Sequence, residues 1–207
     1  MARMAPIYIA PGDRTVTVFG GGNVALRKIR HFDGFRIRVV AREVLPEIEG
    51  LADEVVLCEI APETVMREAP GSFIVMAATD SKQLNAMIRD TALEMGILVN
   101  SAHGGGDVLI PSTIRRKDYS VCVSSEGKVP AFPPYVADLI EPLLDESLDR
   151  MMELMIRIRP VVMDSIPQQK DRAKALYDIL HDEGVWDAIR SGDPESAYEM
   201  AEKKVKA

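Results

Sequence analysis

One short stretch constrains this chain more than any other: Thr15-Val-Thr-Val-Phe19 running directly into Gly20-Gly-Gly-Asn-Val-Ala25. The first five residues are mostly β-branched or aromatic, which suits a buried pleated strand. From Val24 to Phe32 the apolar residues recur at helical spacing, and Gly34 supplies a stop. A strand that turns into a helix through Gly20-x-Gly22-x-x-Ala25 carries the dinucleotide fingerprint, with alanine in the third place. Gly20 permits the tight turn, Gly22 lets the backbone approach a pyrophosphate, and Ala25 lets the helix lie close to the sheet. The free N–H groups at the start of the helix face the phosphates. Gly20, Gly21, Gly22 and Ala25 are therefore candidate cofactor-binding positions. A plain tight turn would also use glycines, but the flanking strand and helix favour the nucleotide reading.

The next segments extend that unit. Arg36–Val40 reads as a second strand, with Glu43 just beyond it, where a carboxylate takes the ribose hydroxyls of NAD. Arg42 beside it would suit the 2′-phosphate of NADP, so both cofactors stay open, with NAD preferred. Leu51–Glu59 contains a third strand centred on Val55–Leu57. Ser72–Ala78 is apolar almost throughout, as a central parallel strand is when helices cover both faces. Ser81–Met95 reads as a helix stopped by Gly96, and Ile97–Asn100 as a fifth strand. Strands alternating with helices imply an α/β fold around a parallel sheet.

After Gly106 the pattern changes. Val108–Ile110 and Tyr119–Ser124 are predicted to form an antiparallel pair, joined through the polar Arg115-Arg116-Lys117-Asp118. Two short strands are marginal alone, so pairing with a partner subunit is expected. From Tyr135 the chain reads as helical, broken at Pro160, Pro167 and Asp193-Pro194, with Asp193 as a cap for the last helix. The charged end, Glu202–Ala207, is expected to fray.

Composition narrows the function classes. A net charge of −7 argues against a generic nucleic-acid binder, which needs excess Lys and Arg. It leaves room for an anionic ligand held in a local basic pocket. Cys58 and Cys122 have no Cys-x-x-Cys spacing and no nearby His, so no metal ligand set is read here. No apolar run is long enough to span a membrane, and Met1–Pro6 lacks the apolar stretch of a signal peptide. A cytoplasmic protein is expected.

The ordered motifs together are more specific than the glycine loop. Gly20 to Lys28, Val39-Val-Ala41, Ala77-Ala-Thr-Asp80, Val99-Asn100, Ile110-Pro-Ser112 and Val123-Ser-Ser-Glu-Gly127 closely resemble the precorrin-2 dehydrogenase part of siroheme synthases. Order and intervals agree from about residue 5 to residue 140. The resemblance implies a Rossmann-type domain over 1–112, a small antiparallel dimerisation region over 113–147 and a C-terminal helical domain over 148–207. It implies a homodimer that oxidises precorrin-2 to sirohydrochlorin with NAD, some members also inserting ferrous iron to give siroheme. Matching positions place Asn23, Val24, Arg42 and Glu43 against the cofactor, with Thr79 and Asp80 bordering the same crevice. A polycarboxylate tetrapyrrole needs cationic or N–H partners. Arg115, Arg116, Lys117 and Lys128 are candidates, and Ser124 and Ser125 are candidate donors, with exposed turn residues as the alternative in each case.

The chain departs from the family at one position. Many relatives carry an aspartate, implicated as a general base, three residues after the asparagine that closes the fifth strand. Here that place holds His103, followed by a short loop, Gly104-Gly-Gly-Asp107. Either His103 takes over as proton acceptor, or Asp107 does, or hydride transfer proceeds without a dedicated base. The departure weighs against iron insertion more than against dehydrogenation. A regulatory module that binds NAD without chemistry is the competing function. A short-chain-type dehydrogenase is disfavoured, because no Tyr is followed four residues later by Lys.

Overall fold

The computed structural model describes residues 4–206, and Met1–Arg3 and Ala207 lie outside that range. The chain divides into two compact units. One runs to Ile110 and includes Glu126–Val129; the other comprises Pro111–Ser125 and resumes at Pro130.

The first unit is a parallel five-stranded sheet in the order β3-β2-β1-β4-β5. Its strands are β1 (Thr15–Phe19), β2 (Arg36–Ala41), β3 (Glu54–Leu57), β4 (Ser72–Ala77) and β5 (Leu98–Ser101). The helices between them are α1 (Asn23–Ile29), α2 (Pro46–Glu49), α3 (Pro62–Glu68) and α4 (Lys82–Glu94). Successive side chains on a strand point to opposite faces, and helices cover both, so the apolar residues of β1, β2 and β4 are buried on both faces. Val16, Val18, Val39, Ile74 and Met76 pack with Ala25, Leu26 and Ile29 of α1 and Ile48 of α2 on one face. Phe19, Val40, Val75 and Ala77 pack with Val65 of α3 and Ile88 and Ala92 of α4 on the other. Strand order reverses between β1 and β4, the place where open α/β sheets bind ligands at their carboxyl ends.

The second unit holds an antiparallel pair, β6 (Ser112–Arg115) and β7 (Ser120–Val123), then α5 (Phe132–Ile140) and a 3₁₀ turn over Glu141–Leu143. Four helices follow: α6 (Glu146–Ser165), α7 (Gln169–Leu180), α8 (Glu183–Ser191) and α9 (Pro194–Lys206). Their core gathers Met151, Leu154, Ile158 and Val162 of α6, Ile179 of α7, Ile189 of α8 and Ala201 of α9. Asp145 and Asp182 cap α6 and α8, and Asp193 accepts from Ser196 N–H at 3.0 Å at the start of α9.

Three expectations are corrected. The first strand of the antiparallel pair is Ser112–Arg115, not Val108–Ile110. Val108 and Ile110 instead pack on the α1 face of the parallel sheet, so their apolar character reflects burial and not pairing. Pro160 does not break the chain; it lies inside α6, where the buried stripe Met151, Leu154, Ile158, Val162 holds the helix together on both sides of it. The last helix continues regularly to Lys206, with Val205 buried, where fraying was expected.

Candidate functional site

The carboxyl edge of the parallel sheet is assembled by close backbone approach. Gly20 has φ +125, a conformation that side chains rarely adopt, and a Cβ there would lie 2.4 Å from the Ala78 carbonyl oxygen. A Cβ on Gly21 would lie 2.0 Å from the Glu43 carbonyl oxygen and 2.8 Å from Val44 Cα. Gly20 N–H donates to the Val40 carbonyl at 2.9 Å, and Leu45 N–H donates to the Gly21 carbonyl at 2.9 Å. The glycine loop is thus clamped between the turn after β2, which carries exposed Arg42 and Glu43, and the turn after β4, which carries buried Thr79 and exposed Asp80. Gly22 differs, because a Cβ there would meet nothing within 4 Å. Two glycines close the protein against itself and the third leaves an open side beside the first turn of α1. Asn23 is exposed, Val24 half-buried and Ala25 fully buried against the sheet. This arrangement fits a dinucleotide, with its diphosphate at Gly22 and the α1 amides.

A buried polar network borders this edge. Ser81 caps α4, accepting from Leu84 N–H at 3.2 Å. One turn later, fully buried Asn85 accepts from Thr79 N–H at 2.9 Å and from Thr79 Oγ at 2.8 Å, and donates to the Thr79 carbonyl at 2.9 Å. Its amide also meets Nδ1 of His103, at 2.8 Å. The structure therefore ties His103, on the loop after β5, to the turn that carries Thr79. Asp107 is exposed on the same loop.

Lys28 reaches from α1 to the side chain of Asn100 at the end of β5, and Asn100 Nδ2 donates to the Val108 carbonyl at 2.8 Å. Burial, and then the neighbouring charge of Arg27, lower the Lys28 ammonium to about 8.

The candidate substrate residues divide between the units. Lys128 belongs to the first, where its ammonium lies 3.3 Å from Glu126 Oε2. Arg115, Arg116, Ser124 and Ser125 belong to the second. Arg116 meets both carboxylate oxygens of Asp149 of α6 through Nε and Nη2, Nε donating at 3.0 Å. The hydrogen bond from Arg116 holds the Asp149 carboxyl below the ordinary carboxylate range. Lys117 is paired with Glu153 at 2.7 Å.

Comparison with known proteins decides the family. A family model described as NAD(P)-binding matches residues 7–112. A precorrin-2 dehydrogenase from Methanosarcina barkeri is 31% identical over 207 aligned positions, covering 96% of this chain and 90% of that protein. The chain belongs to the precorrin-2 dehydrogenase family. A siroheme synthase from Gluconobacter oxydans is 32% identical over 93% of this chain, which spans only 42% of that longer protein. The solved structure of SirC, a precorrin-2 dehydrogenase, superposes with a TM-score of 0.74 at 23% identity, covering 97% of this chain and all of that one. This precorrin-2 dehydrogenase family member shares that fold.

Two residues of the edge escape a reading of the sequence. Asn85 and Lys28 look like ordinary polar positions on amphipathic helices. Only folding brings Asn85 to His103, and Lys28 to Asn100, which is 72 positions away.

Proposed function

We propose that this chain is an NAD-dependent precorrin-2 dehydrogenase, oxidising precorrin-2 to sirohydrochlorin on the route to siroheme. The observation that carries the reading is the convergence of Gly20–Gly22, Arg42–Glu43 and Thr79–Asp80 on one sheet edge, with an open side at Gly22 alone. Gly20, Gly21, Gly22 and the start of α1 at Asn23, Val24 and Ala25 would hold the diphosphate. Glu43 would take the ribose, with Arg42 beside it, and Thr79 and Asp80 would close the nicotinamide side. Bound there, NAD supplies the hydride acceptor. The protein's own contribution is placement, since hydride transfer depends on orientation more than on a strong base. Loss of hydride leaves one proton to be released, and Asp107 is a carboxylate on the loop beside the site.

Arg115, Lys128, Ser124 and Ser125 are the proposed partners of the substrate carboxylates. Arg116, whose guanidinium is engaged by Asp149, is proposed with them. A homodimer is proposed as well. Phe132, Tyr135 and Leu139 of α5, with Leu143 beyond, recur at helical spacing and are each more than half exposed. Beside them β6 and β7 form an isolated two-stranded sheet, and such a pair gains from further strands. A second copy of the chain would supply both. Sedimentation should give twice the chain mass, and Leu139→Asp should return it to one; a wild-type monomer contradicts the dimer. Cytoplasmic location is supported by Cys58 and Cys122, neither of which forms a disulfide.

The test is incubation of the purified protein with precorrin-2 and NAD. Sirohydrochlorin and NADH appearing in equal amounts are expected. NAD binding without turnover would favour the regulatory module. Siroheme formed from sirohydrochlorin and ferrous iron would add the second activity.

A further inference from the structure

The buried carboxamide of Asn85 determines which ring nitrogen of His103 carries hydrogen. A backbone N–H can only donate and a backbone carbonyl can only accept. Asn85 Oδ1 accepts from the N–H of Thr79, and Asn85 Nδ2 donates to the carbonyl of the same residue, so the amide has one orientation. Its second Nδ2 hydrogen points at His103 Nδ1, 2.8 Å away. Nδ1 must accept this bond through its lone pair. The ring hydrogen of the neutral imidazole then sits on Nε2, whose own electron pair belongs to the aromatic system and takes no proton. His103 is an exposed residue. What the side chain offers outward is an N–H, not a base.

We propose that His103 is a substrate-binding hydrogen-bond donor, that Asn85 is the positioning residue that sets its tautomer, and that the group received is a carboxylate of the tetrapyrrole. The identity of the substrate rests on the dehydrogenase reading above; the tautomer does not. A carboxylate is assigned over the cofactor diphosphate because the open side of Gly22 and the α1 amides are the proposed place of the diphosphate. A chain of net charge −7 must supply local donors to hold a polyanion, and a neutral N–H beside the crevice is one. His103 then does not replace the family's loop aspartate as a base. Asp107, or no dedicated base, is left for the proton.

Two measurements test this. The first is two-bond ¹H–¹⁵N correlation of the histidine rings, the chain having three histidines and His103→Gln removing one set of signals. A pyridine-like Nδ1 and a pyrrole-like Nε2 are expected for His103. Asn85→Asp, whose carboxylate accepts where the amide donated, should reverse the two. A His103 ring protonated on Nδ1 in the wild type, or a pattern indifferent to Asn85→Asp, overturns the assignment.

The second is titration with sirohydrochlorin, followed by tetrapyrrole fluorescence, together with steady-state kinetics. A glutamine carboxamide donates but does not take a proton. His103→Gln should keep the sirohydrochlorin Kd and the kcat within roughly threefold, or about 0.65 kcal/mol. His103→Ala should weaken sirohydrochlorin about tenfold and leave the NAD Kd unchanged. Equal sirohydrochlorin affinity in all three proteins, or a change confined to NAD, overturns the carboxylate. A kcat lost about a hundredfold in both variants restores the base. If the wild type turns over no precorrin-2, the dehydrogenase reading fails, while ring signals and sirohydrochlorin affinity still decide the role of His103.

Discussion

Two alanine substitutions one residue apart should separate the fold from the cofactor. At Gly21 an added Cβ would lie 2.0 Å from the Glu43 carbonyl oxygen and 2.8 Å from Val44 Cα, both backbone atoms. Ordinary contact needs more than an ångström of displacement, so the glycine loop and the turn after β2 must part. Forced overpacking of this kind costs about 1–3 kcal/mol. For a unit of this size, each kcal/mol shifts the melting temperature by about 4 °C, so Gly21→Ala should melt roughly 4–12 °C lower. At Gly22 the backbone has φ −95 and ψ −169, which any residue adopts, and nothing lies within 4 Å of the new methyl. Gly22→Ala should therefore keep its stability within about 0.5 kcal/mol. Its methyl would occupy the side from which the diphosphate approaches, and NAD affinity should fall at least about tenfold, or about 1.4 kcal/mol. Scanning calorimetry reads the first effect and titration calorimetry with NAD the second. Wild-type melting of Gly21→Ala, or wild-type NAD binding by Gly22→Ala, would refute the account of the loop.

Two further outcomes follow from charged groups. Burial lowers Lys28 to about 8, below its unfolded value of about 10.4, so between these values the unfolded chain binds the extra proton and stability climbs with pH. The melting temperature of the wild type should rise relative to Lys28→Met between pH 7 and about pH 9.5, and parallel curves would contradict the buried ammonium. Asp149 is held below the ordinary carboxylate range by Arg116, so its contribution is present above the unfolded value of about 3.9 and lost as pH falls through the lower folded value. Asp149→Asn should flatten that acid limb in circular dichroism of the helices, and an unchanged limb would place the acid sensitivity elsewhere.

The parallel sheet was legible because its central strands are buried on both faces, which leaves unbroken runs such as Phe73–Ala78. The glycine loop was legible because its steric demands admit few residues. The short helices α2 and α3 were not anticipated; each begins at a proline and offers too few turns for a periodic signal. The strand β6, Ser-Thr-Ile-Arg, is mostly polar because only Ile114 is buried, so the apolar run just before it carried the stronger but misleading signal. Pro160 shows tertiary packing outweighing a local breaker. At the site, spacing singled out the residues that gather at the carboxyl edge of the sheet, whereas the partner of His103 could not be read. Its meaning depends on Asn85, whose carboxamide is oriented by the backbone of Thr79.

Dehydrogenation is read from one steady-state experiment: precorrin-2 with NAD and purified protein, followed by the absorbance of both products. One NADH for each sirohydrochlorin formed is expected, with Gly22→Ala slowed through a raised KM for NAD. NAD bound tightly while precorrin-2 remains unchanged would contradict it.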